Sequence, residues 1–215
     1  MSVDKKNSML SVNNLTVWRG DNLLLDKISF ALNSGDVLQI KGANGSGKTT
    51  LLRVTCGVGI ADEGEVYWNG IPIHKSRDQF NDALLYLGHK PGIKGGLTAI
   101  ENLRIFATLS GYSQTKETDR AIESALDALS LTPKSHIACR YLSAGQQRRV
   151  GLARLLLRSS HLWVLDEPLT SLDAAGLLWV EAQIGQHAAN GGAVLLTTHV
   201  PLNIDTVTVD TLELG

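Results

Sequence analysis

The sequence is poor in the features that mark several classes of protein. Its 215 residues include 2 cysteines, Cys56 and Cys139, which form no Cys-x-x-Cys pair. That argues against a zinc ribbon and a disulfide framework and suits a reducing compartment. Proline is scarce, at 5, so no stiff linker divides the chain, and no internal repeat or low-complexity tract is apparent. Neither sign of charge prevails: 20 basic and 21 acidic residues leave a formal net charge of -1. No global field therefore draws the protein to nucleic acid, which is not expected as a partner, and any phosphate has to be held locally. No apolar run approaches membrane-spanning length, and Lys5-Lys6 is followed by no apolar stretch. The expectation is a chain neither secreted nor self-inserting, which leaves attachment to a membrane through a partner open.

What is present suffices for a core. Apolar residues make up 43% and charged residues 19%, a balance and length that predict one α/β domain over residues 1–215. Leu10–Trp18, Ile28–Leu32 and Val37–Ile40 read as strands, broken at Arg19–Asn22 and Asn33–Asp36. Glu65–Trp68, then Asn69-Gly70, then Ile71–Ile73 reads as a hairpin, so the N-terminal part is expected to be partly antiparallel. A helical insertion follows, over about residues 90–158. Thr98 with Glu101 forms a capping box for a helix through about Leu109. Ala121, Ile122, Ala125, Leu126 and Leu129 mark an apolar face, and Ser143 with Gln146 caps a helix running through Leu152, Leu155 and Leu156. The apolar strands Leu162–Leu165 and Ala193–Thr197 flank a helix bearing Leu177, Leu178, Val180 and Ile184, closed by Gly191-Gly192. That β-α-β order predicts a buried parallel sheet.

Gly42-Ala43-Asn44-Gly45-Ser46-Gly47-Lys48-Thr49 fits G-x-x-x-x-G-K-[ST] between a strand and the helical Thr50-Leu51-Leu52. Glycines let successive N–H groups curl around a polyanion at a helix N-terminus. Lys48 is expected to reach the β and γ phosphates and the Thr49 hydroxyl to bind Mg²⁺, with Thr50 counted among the nucleotide contacts. The apolar strand Leu162–Leu165 runs into Asp166-Glu167. Asp166 is expected to hold hydrated Mg²⁺ opposite Thr49, and Glu167, one residue closer to the γ-phosphate, to orient and deprotonate the attacking water.

With these two halves the chain resembles the ATP-binding subunits of ABC transporters. Leu142-Ser143-Ala144-Gly145-Gln146 resembles the family signature LSGGQ with one Gly replaced by Ala, Ser171-Leu172-Asp173 resembles the D-loop, and His199 the switch histidine. The resemblance implies ATP and Mg²⁺ as ligands and a head-to-tail dimer of two copies. Each ATP then lies between one copy's phosphate loop and the other's Ser143, Gly145 and Gln146, with Asp173 nearby. Trp18 either stacks on adenine, like the family's N-terminal aromatic, or is simply a strand residue. One position departs from the family: where most members have Gln after the segment resembling Leu85–Gly88, this chain has His89 and then Lys90. That Gln touches Mg²⁺ and relays nucleotide state to the membrane subunit. Imidazole is a poorer magnesium ligand, so with His89 on the metal side the relay is expected to work differently.

Gly88-His89, Pro91-Gly92-Ile93-Lys94 and Thr197-Thr198-His199 before Pro201-Leu202-Asn203 are similar to the branch of the family that serves cytochrome c maturation. This likeness implies integral membrane partners that handle haem, at the cytoplasmic face of a bacterial inner membrane. Another cargo is the alternative. His74, His136, His161 and His187 are scattered and read as surface or packing residues, as do Trp68, Trp163 and Trp179 as packing residues. Arg148-Arg149 read as pairing with acids or facing solvent.

Overall fold

A computed structural model describes residues 8–215; the Lys5-Lys6 pair lies outside the described residues. The chain divides into two compact units: one holds the residues up to Tyr86 with Ser160–Glu167 and Glu181–Gly215, the other Leu87–Ser159 and Pro168–Val180.

In chain order, β1 (Leu10–Arg19) turns through Gly20-Asp21 into β2 (Asn22–Leu32). The second strand begins well before the expected Ile28, because Leu23 and Leu25 pair across the hairpin with Trp18 and Val17. Cross-strand pairing, not alternation, decides that stretch. Next come β3 (Val37–Gly42), α1 (Lys48–Thr55), β4 (Glu63–Trp68) and β5 (Ile71–Pro72). The last two are joined by Asn69 and Gly70 at φ 48° and 76°, the left-handed pair that a type I′ turn needs. α2 (Arg77–Ala83) runs straight into β6 (Leu84–Leu87). The sequence reading contains neither element: no Gly or Pro punctuates the change from helix to strand, and Ser76 makes no side-chain cap.

The helical stretch contains α3 (Ala99–Leu109), α4 (Lys116–Ala128), α5 (Ala144–Leu152) and α6 (Arg154–Leu157). Thr98 and Glu101 form the expected capping box, and the Thr98 N–H and then its hydroxyl, both donating to Glu101 Oε2, hold that carboxyl below the usual range. Ile122, Ala125, Leu126 and Leu129 are buried as expected, Leu129 as the C-cap of α4, whereas Ala121 faces solvent. The helix expected to run unbroken from Ser143 is interrupted at Ala153, where Leu156 N–H bonds to Ala153 O in a tight turn; Leu155 is buried and Leu156 is exposed.

The chain ends with β7 (Leu162–Asp166), α7 (Ala174–Ala189), β8 (Ala193–Thr197) and β9 (Val209–Leu214), the last absent from the sequence reading. Asp210 and Glu213 lend β9 the polarity of a loop, but it forms the edge of a sheet, where outward charge is tolerated.

Strands order as β2-β1-β4-β5 in an antiparallel sheet and as β6-β7-β8-β3-β9 in a second sheet. In the second, β7, β8, β3 and β9 pair in parallel. Every residue of β7 and β8 is buried, and each fully buried Leu or Val contributes about 1.5–3 kcal/mol relative to exposure. The register places Thr197 beside both Asp166 and Ile40, so β7 and β8 finish at one level and β3 runs two residues further, to Gly42. Ligands bind outside the carboxyl ends of such strands.

Candidate nucleotide site

In the first unit the loop after β3 is shaped by glycines. Gly42, Gly45 and Gly47 have φ of 150°, 86° and 94°. A Cβ on Gly47 would lie 2.8 Å from Leu25 Cδ2, and one on Gly42 would lie 2.7 Å from Leu214 O. Only glycine therefore supports both the left-handed turn and the close packing. Gly47 caps α1 without a side chain, leaving the first N–H groups of the helix facing the loop. Lys48 Nζ donates to Gly42 O at 2.6 Å and to Ala43 O at 2.9 Å, arching its ammonium over a loop lined by exposed Ala43, Asn44 and Gly45. Ser46 Oγ is buried, and Thr50 half-buried in the first turn of the helix.

At the end of β7, Asp166 is 2% exposed. Its Oδ2 accepts from Thr49 Oγ1 at 2.9 Å, and its Oδ1 from Thr197 Oγ1 at 2.8 Å. The buried carboxylate is thus held by two neutral hydroxyls. Its charge adds to burial in pushing the Tyr86 phenol up to about 12, and burial with Asp166 likewise raises the Cys56 thiol. Glu167 has φ 52°, a left-handed conformation costly outside glycine. Its N–H donates to Thr197 O at 3.1 Å and Thr197 Oγ1 at 3.0 Å, which holds it there. The side chain, 13% exposed, lies with Oε1 3.4 Å from His199 Nε2, and the His199 ring is largely open. Lys48, His199 and Gly42 also line a cleft of about 510 Å³.

Thr197 and Gln39 are parts of this cluster that sequence reasoning missed. Thr197 joins Asp166 to Glu167, and buried Gln39 donates through Nε2 to Thr198 O at 3.1 Å, fixing the backbone just before His199. The signal was the position of Thr197-Thr198 at a strand end ahead of His199. Trp18 is 49% exposed on β1, and its backbone N–H donates to Asp62 Oδ2 at 2.7 Å.

The second unit holds the other predicted residues. Ser143 Oγ accepts from Gln146 N–H at 3.2 Å and Gln146 Oε1 from Ser143 N–H at 3.0 Å, the reciprocal cap expected at the start of α5; the Ser143 cap contributes about 1 kcal/mol. A Cβ on Gly145 would lie 2.5 Å from Ser171 O, so this glycine lets the signature meet the backbone of the Ser171–Asp173 turn, where Ser171 has φ 65°. Asp173 accepts from Gly176 N–H at 2.9 Å, capping α7, and from Arg149 Nη2 at 2.5 Å. The Gly176 bond, then the Arg149 bond, hold its carboxyl below the ordinary range. Arg149 also donates to Leu129 O at 3.0 Å. It thus pairs with an acid as expected, whereas Arg148 is buried and reaches Gly88 O at 3.3 Å. His89 is exposed beside Gly88.

The family model described as ABC transporter matches residues 25–170, more than half of the chain. The chain belongs to the ABC transporter family. It is an ABC-type ATPase and binds ATP. The cassette is 45% identical to the "Cytochrome c biogenesis ATP-binding export protein CcmA" of Vibrio parahaemolyticus serotype O3:K6 over 207 residues, 96% of this chain and 100% of that one. It is 46% identical to the protein of the same name from Nitrosomonas europaea over 207 residues, 96% of each chain. Among solved structures it is similar to a putative ABC transporter ATP-binding protein from Pyrococcus furiosus. The TM-score is 0.78 at 27% identity, covering 95% of this chain and 96% of that one. No helix among the described residues is long and apolar enough to cross a membrane.

Proposed function

We propose that this cassette is the ATP-hydrolysing subunit of a membrane complex for cytochrome c maturation. Its turnover there supports export or delivery of haem, or release of a haem-loaded chaperone. Both units serve as one ATP-binding domain, docked on integral subunits at the cytoplasmic face of the inner membrane. The observation that carries the chemistry is Asp166, buried and bonded to Thr49, directly followed by Glu167 facing His199 at 3.4 Å. The names of the relatives supply the cargo.

The residues fit magnesium: a hydroxyl and a buried carboxylate, 2.9 Å apart, form an oxygen donor pair. Thr49 and Asp166 would hold the ion, the sequence offering His89 as a further ligand, and Mg²⁺ would supply positive charge that offsets the charge of the phosphate oxygens. The N–H groups from Gly42 to Thr50 hold the phosphates, Lys48 neutralises them, and the open ring of Trp18 offers adenine a stacking face. Glu167 orients the attacking water and takes its proton, and His199 steadies that carboxylate and the γ-phosphate. Ser143, Gly145 and Gln146 form a helix-start anion site, completed by the γ-phosphate on a second copy, with Asp173 alongside. Turnover therefore requires the ATP-sandwich dimer.

In a strain lacking the gene, haem-stained c-type cytochromes should return with the native gene and not with Glu167→Gln. The purified variant should keep ATP binding, lose turnover about a thousandfold and accumulate as a dimer. Normal holocytochromes in the deletion strain would assign the cassette another cargo, and retained turnover would remove Glu167 as the base.

A further inference from the structure

Gly88–Leu97 contains no helix or strand, yet its backbone is fastened at intervals to the helices of its own unit. Arg148 donates to Gly88 O, and Gly151 is so close to Pro91 that an added Cβ would lie 3.2 Å from Pro91 O. Arg154 Nη2 donates to Gly92 O at 2.7 Å. Asn102, 5% exposed, accepts from Lys94 N–H at 2.7 Å and donates to Lys94 O at 3.1 Å, and Arg140 N–H reaches Gly95 O at 2.9 Å. His89 and Lys90 at the tip are exposed, as are Gly92 and residues 94–96, but none of the bonds just named ties His89 or Lys90 down.

Arg154 is the unusual member of this series. Its guanidinium lies over the Phe106 ring, 5.1 Å from the centroid, and its Nε is buried without a hydrogen-bond partner. Burial lowers its pKa, and among the described residues no carboxylate pairs with it. Half-burying a cation without a counter-charge has a cost, and an apolar side chain would fill the space against Phe106 without it. What the guanidinium adds is a rigid fork aimed at one backbone carbonyl. Gly92, at φ 65°, presents that carbonyl, and a Cβ there would lie 3.1 Å from Arg154 Nη1.

We propose that Arg154 is a positioning residue: with Phe106 behind it, it fixes the turn bearing His89 and Lys90 to the helices that start at Ser143. Tip and signature then move as one piece, and a membrane subunit that engages the tip displaces the phosphate-facing end of α5 directly. The coupling half of this inference rests on the proposed function; the fastening half does not.

The test uses the full chain alone and in its membrane complex, with MgATP as the probe. In Arg154→Met, amide exchange over residues 88–97 should accelerate about tenfold or more, while exchange over 42–55 and ATP affinity stay as in the native chain. Stimulation of turnover by the membrane subunits should fall about tenfold. Arg154→Lys keeps the charge but not the fork and should resemble Met, not Arg. Gly92→Ala crowds the guanidinium off its carbonyl while Arg154 itself is kept; it should reproduce the exchange result and decides the matter if Arg154→Met does not fold. Unchanged exchange over 88–97 in either variant overturns the fastening role, and unchanged stimulation overturns the coupling role. Absence of any stimulation in the native complex would instead defeat the proposed function, with the exchange result still deciding whether Arg154 fixes the turn.

Discussion

The two compact units are built to different rules. In the first, the nucleotide residues are held by backbone geometry and burial: Gly42 and Gly47 adopt conformations closed to other residues, and Asp166 is sealed between two hydroxyls. In the second, the corresponding residues are held by long side chains, Arg149 on Asp173 and Leu129, Arg154 on Gly92. The first arrangement is a rigid receptor for a polyanion. The second is a set of adjustable ties, suited to a part that, under the proposed function, answers a second copy and a membrane subunit. The difference teaches where an error should cost binding and where it should cost turnover.

The largest effect expected from that contrast is at Gly47. Alanine there combines φ 94° with a contact 2.8 Å from Leu25 and should weaken ATP binding by about 2–3 kcal/mol, roughly a hundredfold. Titration of the isolated chain with ATP measures it; affinity within a few-fold of native would mean that the loop is pliable and the contrast overstated. Gly145→Ala is the matching change in the second unit, since its Cβ would meet Ser171 O at 2.5 Å, a backbone atom unable to step aside alone. Here ATP affinity of the isolated chain should stay native while turnover of the complex falls about tenfold. An affinity loss as large as that of Gly47→Ala would erase the distinction between the units.

The same contrast explains what could be read in advance. Residues 42–49 and Asp166-Glu167 are contiguous and flanked by apolar strands, so their chemistry is written locally. The caps at Thr98 and Ser143 are likewise confined to four adjacent residues. Thr197 and Gln39 were not legible as site residues, because only the register of β3, β7 and β8 brings them to Asp166 and His199. The partners of Arg149 and Arg154 lie 24 and 62 residues away, a separation that no local pattern encodes. β6 and β9 escaped for a related reason: each is defined by the strand it pairs with more than by its own composition.

The smallest effect probes the opposite end of β7 from Asp166. His187 lies flat on Trp163, ring centroids 3.9 Å apart and planes 5° from parallel, and Gly192 leaves room for it because the ring occupies the place of a Cβ. Burial lowers His187 from 6.5 to about 4, against the opposing pull of bonds to the backbone of His161 and Ala193, with the His161 charge assisting the depression. The unfolded chain therefore takes up a proton between pH 6.5 and 4 that the folded chain refuses. The stability is fully present above pH 6.5 and lost as pH falls toward 4. Because the ring is partly exposed, the loss should be about 1 kcal/mol, less than the shift alone implies. Urea midpoints followed by tryptophan fluorescence at pH 7.5 and pH 4.5 should show this loss in the native chain and less of it in His187→Phe, which keeps the stack without the titration. Equal pH dependence in the two proteins would show that the ring accepts its proton without leaving Trp163, and that the packing at this end of the strand is as adjustable as the ties of the second unit.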